Sequence, residues 1–257
     1  MRLGDKMKIG IIGLGSMGGA ILKGLTQSGI EVNFHSPHFD KNEKIRNASF
    51  YESNSLVVKN SDLIILTVKP NVYRQVLEEI KDFVEDKIIV SVTSKFGFEE
   101  LRQILGNKRF IQMMPNTPAL VKESMTGICP DQSIKKEEVE EIIKLFNSFG
   151  KTVVIKKEDF LTFEAVCGCL PAFIYVIIEA LADGAVLNGM KRDEAYQYIS
   201  QTVLGSAKMI LETKTHPGIL KDKVTTPGGS TIVGIKSLED SGIRGSLIDA
   251  ICNIINR

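Results

Sequence analysis

The chain of 257 residues carries 32 Lys and Arg against 31 Asp and Glu, a net charge of +1, and 43% of its residues are hydrophobic. That length fits one large domain or two small ones, with enough chain for a real core. The interspersed charge argues against a nucleic-acid partner, which needs clustered Lys and Arg, and no apolar run reaches the roughly 18 residues of a membrane span.

The chain opens Met1-Arg2-Leu3-Gly4-Asp5-Lys6 and passes straight to a strand pattern. No secretory leader is expected. Residues 1–6 read as a frayed extension, with Met7 as an alternative start.

Taken in order, residues 8–13 read as a strand, 16–28 as a helix and 31–35 as a second strand. A strand over 62–68 follows, then a helix from Asn71, a strand over 87–92, a helix from Glu99 and a strand over 109–114. Leu63-Ile64-Ile65-Leu66 and Ile88-Ile89-Val90 are apolar on both faces, as a parallel sheet covered by helices requires. A helix over 135–149 and a strand over 152–155 end this half.

After about residue 156 the strand pattern stops. Residues 173–187 are apolar apart from Glu179 and Asp183, which predicts a helix buried on most sides. Further helices fit 193–213, 231–240 and 246–255. The prediction is an α/β chain: an N-terminal Rossmann-type doubly wound sheet over 1–156, then an all-helical domain over 157–257.

Cys129, Cys167, Cys169 and Cys252 lack paired metal-ligand spacing, and His35, His38 and His216 are scattered. No metal site is expected. Free thiols in a reducing cytoplasm fit better.

Gly13-Leu14-Gly15-Ser16-Met17-Gly18 fits the dinucleotide pattern G-x-G-x-x-G between a strand and a helix. Gly13 makes the turn, Gly15 lets a pyrophosphate reach the backbone, and Gly18 lets helix and strand pack. The helix start, with Ser16 and Met17, supplies free N–H groups and a positive dipole end. The second strand ends Phe34-His35-Ser36-Pro37, with no Asp or Glu to hold the ribose hydroxyls of NAD. Ser36 can donate to a 2′-phosphate, and Lys41 is the nearest fixed charge. The expected cofactor is NADP(H), with NAD(H) as the alternative.

Val68-Lys69-Pro70 and Met114-Pro115-Asn116-Thr117-Pro118 each end a strand, where ligands sit in a doubly wound sheet. Asn116 and Thr117 are candidates to face a nicotinamide, although on these residues alone a rigid turn with no ligand is the better explanation. Thr225-Thr226-Pro227-Gly228-Gly229-Ser230-Thr231 precedes a helical pattern. Its small residues suit a carboxylate at the helix start, or a plain N-cap.

Nearly end to end, from Lys8 to Arg257, the chain resembles the pyrroline-5-carboxylate reductases. The most specific stretch runs from Leu220 through Thr225-Thr226-Pro227-Gly228-Gly229-Ser230-Thr231 to Ile232, with Leu238-Glu239 and Gly242-x-Arg244 beyond it. Glu179-Ala180-Leu181-Ala182-Asp183-Gly184, His216-Pro217, Val68-Lys69-Pro70 and Met114 through Ala119 are also similar to the family. The resemblance implies hydride transfer from NAD(P)H to the C=N carbon of 1-pyrroline-5-carboxylate, giving L-proline. It implies that Thr226 and the N–H groups of Gly229, Ser230 and Thr231 hold the small substrate. The Thr231 hydroxyl, as catalytic residue, bonds the ring nitrogen. Asn54 is implied beside the adenosine ribose. The implied assembly is a homodimer or a dimer-based oligomer in the cytoplasm.

The chain departs from the family at Cys167-Gly168-Cys169-Leu170, where Ser-Gly-Ser-Gly is usual, and at Gln112 and Ser124, where Arg and Gly are usual. These departures keep two other readings in view: a reductase of a related cyclic imine or keto acid, and a catalytically weak nucleotide-binding paralogue.

Overall fold

The aliphatic runs of the first half become one eight-stranded sheet. A computed structural model describes residues 7–256, so the reading of residues 1–6 lies outside the described residues. The strands are β1 (Ile9–Ile12), β2 (Val32–His35), β3 (Ala48–Phe50), β4 (Leu63–Leu66), β5 (Ile88–Ser91), β6 (Arg109–Met114), β7 (Ser124–Pro130) and β8 (Gly150–Val154), in the order 3-2-1-4-5-6-7-8. Ile9 of β1 sits opposite Val32 on one side and Leu63 on the other. Pairing is parallel from β3 to β6, while β7 runs antiparallel to β6 and parallel to β8. Strand order reverses at β1, and that switch point opens a crevice beyond the carboxyl ends of the strands.

Five helices cover the sheet: α1 (Ser16–Gln27), α2 (Asn54–Lys59), α3 (Pro70–Ile80), α4 (Phe98–Leu105) and α5 (Lys136–Phe146). Alternate strand side chains point to opposite faces. Ile9, Ile11, Leu63, Ile65 and Val90 pack with Ile21 and Leu25 of α1 and Phe146 of α5. Ile12, Ile64, Leu66 and Phe110 pack with Val57 of α2, Tyr73 and Leu77 of α3 and Leu101 of α4. Each such side chain contributes about 1.5–3 kcal/mol on burial, which holds the strand ends, and the loops they carry, in place.

The contacts divide the chain into Met1–Pro171 and Ala172–Arg257, later than the composition shift near residue 156. The segment after β8 explains the difference. Phe160, at the start of α6 (Phe160–Phe163), is buried in the second core. Phe163 lies so close to Gly127 of β7 that a Cβ there would meet its ring at 2.7 Å. The following residues, Glu164–Cys169, are π-helical and lead into α7 (Leu170–Leu187).

Residues 157–187 thus form one helical stretch of 31 residues, apolar and long enough to cross a membrane by length and composition. Sequence reading put no run in that class, because it started the helix at Phe173 rather than Leu170. The second unit continues with α8 (Arg192–Thr213), α9 (Pro217–Lys223), α10 (Ser230–Asp240) and α11 (Ile243–Ile255), and is all-helical as expected. The expected burial of α7 on most sides is not met within one chain. Among the described residues of this unit, Ala182 and Ala195 alone are buried, while Tyr175, Val176, Leu187, Leu211, Val233 and Ile248 are exposed.

Candidate active site

The glycine loop joins β1 to α1. Gly13 has φ +95°, and a Cβ there would meet Val68 Cγ1 at 2.8 Å. Its carbonyl accepts from Thr67 Oγ1 at 2.6 Å. At Gly18 a Cβ would lie 2.1 Å from the Gly13 carbonyl oxygen, so the helix seats directly on the loop. Gly15 differs from both. Its φ is −68°, open to any residue, and nothing lies within 4 Å of a Cβ built on it. Protein packing therefore gives no reason for glycine at 15. Gly15 caps α1 without a side-chain bond, and no acidic residue stands in the first turn. The amides of Ser16 and Met17 open the helix and favour an anion.

A cleft of about 1140 Å³ starts at this loop. Gly13, Gly15, Ser36, Thr67, Val68 and Lys69 line it, which brings together three of the predicted elements. Pro70 does not line it; Pro70 starts α3, where its missing N–H costs nothing. Ser16, Met17 and Gly18 are also outside the lining. The cleft adds Lys23, Lys44 and Arg46, which sequence reading did not single out. Lys41, the charge singled out instead, is held by Glu52 at 2.7 Å. His35 Nδ1 pairs with the Tyr51 carbonyl at 2.8 Å, leaving Ser36 as the side chain at the end of β2 that faces the cleft.

Two expected cofactor residues have protein partners. Asn54 is buried at the start of α2, where its amide nitrogen donates to Glu79 at 2.8 Å while its Oδ1 has no partner among the described residues, and it does not line the cleft. Asn116 donates to the Cys167 carbonyl at 3.0 Å and accepts from the Met125 N–H at 3.2 Å. Its side chain braces the β6–β7 loop against the π-helical segment. Only a pattern of long-range partners separates this brace from a ligand contact, and one sequence does not carry it.

The second predicted site lies in the helical unit. Gly228 turns the chain at φ +70°, and Gly229 caps α10. The Gly229 N–H donates to the Thr226 carbonyl at 3.0 Å. It is therefore taken by the turn, and the expected three-amide cradle narrows to Ser230 and Thr231. A Cβ on Gly229 would lie 2.3 Å from Thr226 Oγ1, so Thr226 supports the turn from beneath. Thr226, Ser230 and Thr231 are exposed, and α10 has no acidic residue in its first turn. Beyond it, Arg244 Nε grips Glu239 at 2.8 and 3.0 Å across Gly242, which has φ +71°. That ion pair closes the α10–α11 turn and accounts for the Glu239 and Gly242-x-Arg244 spacing.

The family model for pyrroline-5-carboxylate reductase dimerisation matches residues 157–257, and one for NADP oxidoreductases, coenzyme F420-dependent, matches residues 8–95. The pyrroline-5-carboxylate reductase of Escherichia coli is 39% identical over 259 residues, covering 97% of this chain and 96% of its own. The chain belongs to the pyrroline-5-carboxylate reductase family. The Methanosarcina acetivorans family member is 36% identical over 98% of this chain and 97% of its own. The Plasmodium falciparum reductase structure, with NADP bound, superposes with a TM-score of 0.90 at 29% identity, covering 98% of this chain and 97% of that one.

The departures from the family pattern have separate settings. Ser124 is buried, and its hydroxyl accepts from the Asn116 N–H at 3.3 Å and pairs with Thr126 Oγ1 at 2.9 Å, so it helps close the β6–β7 loop. Gln112 is buried in β6 opposite Ser91 and Cys129. Leu170 is 37% exposed, at the entry to α7. All four cysteines are free, and burial pushes the Cys129 and Cys167 thiols up.

Proposed function

We propose that this chain reduces 1-pyrroline-5-carboxylate to L-proline with NADPH. The observation that carries the reading is near-complete coverage at 36–39% identity to reductases of that name, joined to two anion-ready helix starts, at Gly15 and Gly229.

The residues present fit the dinucleotide. The empty Cβ direction at Gly15 has no use in packing, but it suits a pyrophosphate lying on the backbone. Gly15 and the amides of Ser16 and Met17 would hold that pyrophosphate on the turn that Gly13 and Gly18 shape, with Val68 and Lys69 along the cleft and Ser36 at the 2′-position. NADH is the weaker alternative, because no carboxylate ends β2. Bound NADPH supplies the hydride.

The chain's own work is positioning and electrostatics. The Ser230 and Thr231 amides and the α10 dipole hold the substrate carboxylate. The Thr231 hydroxyl accepts a hydrogen bond from the protonated ring nitrogen and keeps that charged form in place. The proton on nitrogen comes from solvent, so no acid with a strongly shifted pKa is needed. A homodimer is part of this reading. The dimerisation family model covers 157–257, and the exposed apolar faces of α7, α8, α10 and α11 need a cover. The same cover makes a bilayer unnecessary for α7. Free thiols agree with a reducing, cytoplasmic setting.

Cofactor absorbance, followed with purified protein, NADPH and pyrroline-5-carboxylate, tests the reading. Turnover is expected. Cofactor binding without turnover would favour the nucleotide-binding paralogue, and turnover with other cyclic imines alone would favour the related reductase. Thr231→Ala is expected to cut kcat by about 10²-fold, the scale of one lost transition-state hydrogen bond, while NADPH affinity holds. An equal loss of both removes Thr231 from the chemistry.

A further inference from the structure

We infer that Lys44 and Arg46, eight and ten residues beyond Ser36, form the clamp that selects the 2′-phosphate of the cofactor. The inference rests on the NADPH reading above and assigns residues to it. In a dinucleotide fold the ribose 2′ position lies at the end of the second strand, here at Ser36. A lone hydroxyl there bonds a phosphate but does not balance its charge. The segment over 36–47 supplies that charge.

Its course is fixed at both ends. The Phe39 N–H donates to the Ser36 carbonyl at 3.2 Å, and the Phe39 ring packs on Phe34 at 4.8 Å and Phe50 at 5.5 Å. The Asp40 carboxylate accepts from the Asn42 N–H at 2.9 Å. At the far end Asn47, at φ +60°, donates from its amide to the Thr26 carbonyl of α1 at 2.9 Å. Between these anchors Ile45 packs against the first core. Lys44 and Arg46 flank it, and both line the cleft with Ser36.

Charge favours the same assignment. Lys23, Lys44, Arg46 and Lys69 line the cleft against one acid, Glu43. Lys41 pairs with Glu52 and does not line the cleft, whereas Lys44 and Arg46 form no ion pair among the described residues. A guanidinium presents two parallel donors to a phosphate, and both side chains stand on an anchored segment that needs no reordering to meet it.

The test measures binding alone, without pyrroline-5-carboxylate, so a failed reductase assay leaves it standing. NADPH and NADH are titrated by their fluorescence into wild type, Lys44→Ala, Arg46→Ala and Arg46→Lys, with adenosine 2′,5′-bisphosphate and AMP as competitors. Arg46→Ala is expected to weaken NADPH and the bisphosphate by about tenfold or more, as loss of a charge-assisted phosphate bond should. NADH and AMP should hold within about twofold. Lys44→Ala should move the same way by less, and Arg46→Lys should recover part of the loss. An equal loss for NADPH and NADH, or no change for either, overturns the assignment.

Discussion

Three glycines in one loop have three different grounds, and substitution separates them. At Gly18 an alanine methyl would enter the Gly13 carbonyl, with backbone on the far side and nowhere to move. Gly18→Ala is expected to lower stability by about 2 kcal/mol or more, read by denaturant melts, because strained overpacking costs about 1–3 kcal/mol. At Gly15 the methyl meets no protein atom. Gly15→Ala is expected to leave the melt within about 0.5 kcal/mol of wild type, like other surface changes. NADPH binding should still fall by about tenfold or more, because the methyl stands where the pyrophosphate must approach. A destabilised Gly15→Ala with normal binding would show that the loop serves the fold alone. The motif was legible in sequence as a unit; which glycine serves packing and which the ligand was not, since that depends on Thr67 and Val68, more than fifty residues away.

At the scale of elements, long periodic segments were readable and short or interrupted ones were not. The helices over Ser16–Gln27 and Arg192–Thr213 and the strand Arg109–Met114 emerge within a residue or so of their reading. β3 is three residues at the sheet edge, and α2 is six residues, too few to display a period. β7 reads Ser-Met-Thr-Gly-Ile-Cys-Pro, polar at one end and broken by Gly127, and its antiparallel direction follows from the loop held by Asn116. That loop gives the test at this scale. Asn116→Ala leaves the Cys167 carbonyl and the Met125 N–H without their partner. Stability is expected to fall by about 1–3 kcal/mol, the cost of stranded polar groups, while the NADPH dissociation constant stays put. A stable variant with weakened NADPH binding would return Asn116 to the cofactor, where sequence reading put it.

Over the whole molecule the two units have opposite characters. The sheet unit buries two full cores, whereas among its described residues the helical unit buries two alanines and presents Val176, Leu187, Leu211, Val233 and Ile248 to solvent. A helical segment of that size gains little from its own packing and needs a further surface to repay its ordering. The apolar character of α7 was legible in sequence, but what covers it was not, because an apolar helix looks the same whether the cover is the same chain or another. If the cover is a second copy, folding and association are one equilibrium and stability depends on concentration. A tenfold dilution then removes about 1.4 kcal/mol per dimer, or about 0.7 kcal/mol per chain, which should lower Tm by about 1–3 °C. Sedimentation should give twice the chain mass or a multiple of it. Val176→Asp, which places a charge in the covered face, should shift the population to monomer and lower Tm. A monomer with a dilution-independent Tm, and a Val176→Asp variant that behaves as wild type, would mean that the exposed faces of the helical unit are its natural surface.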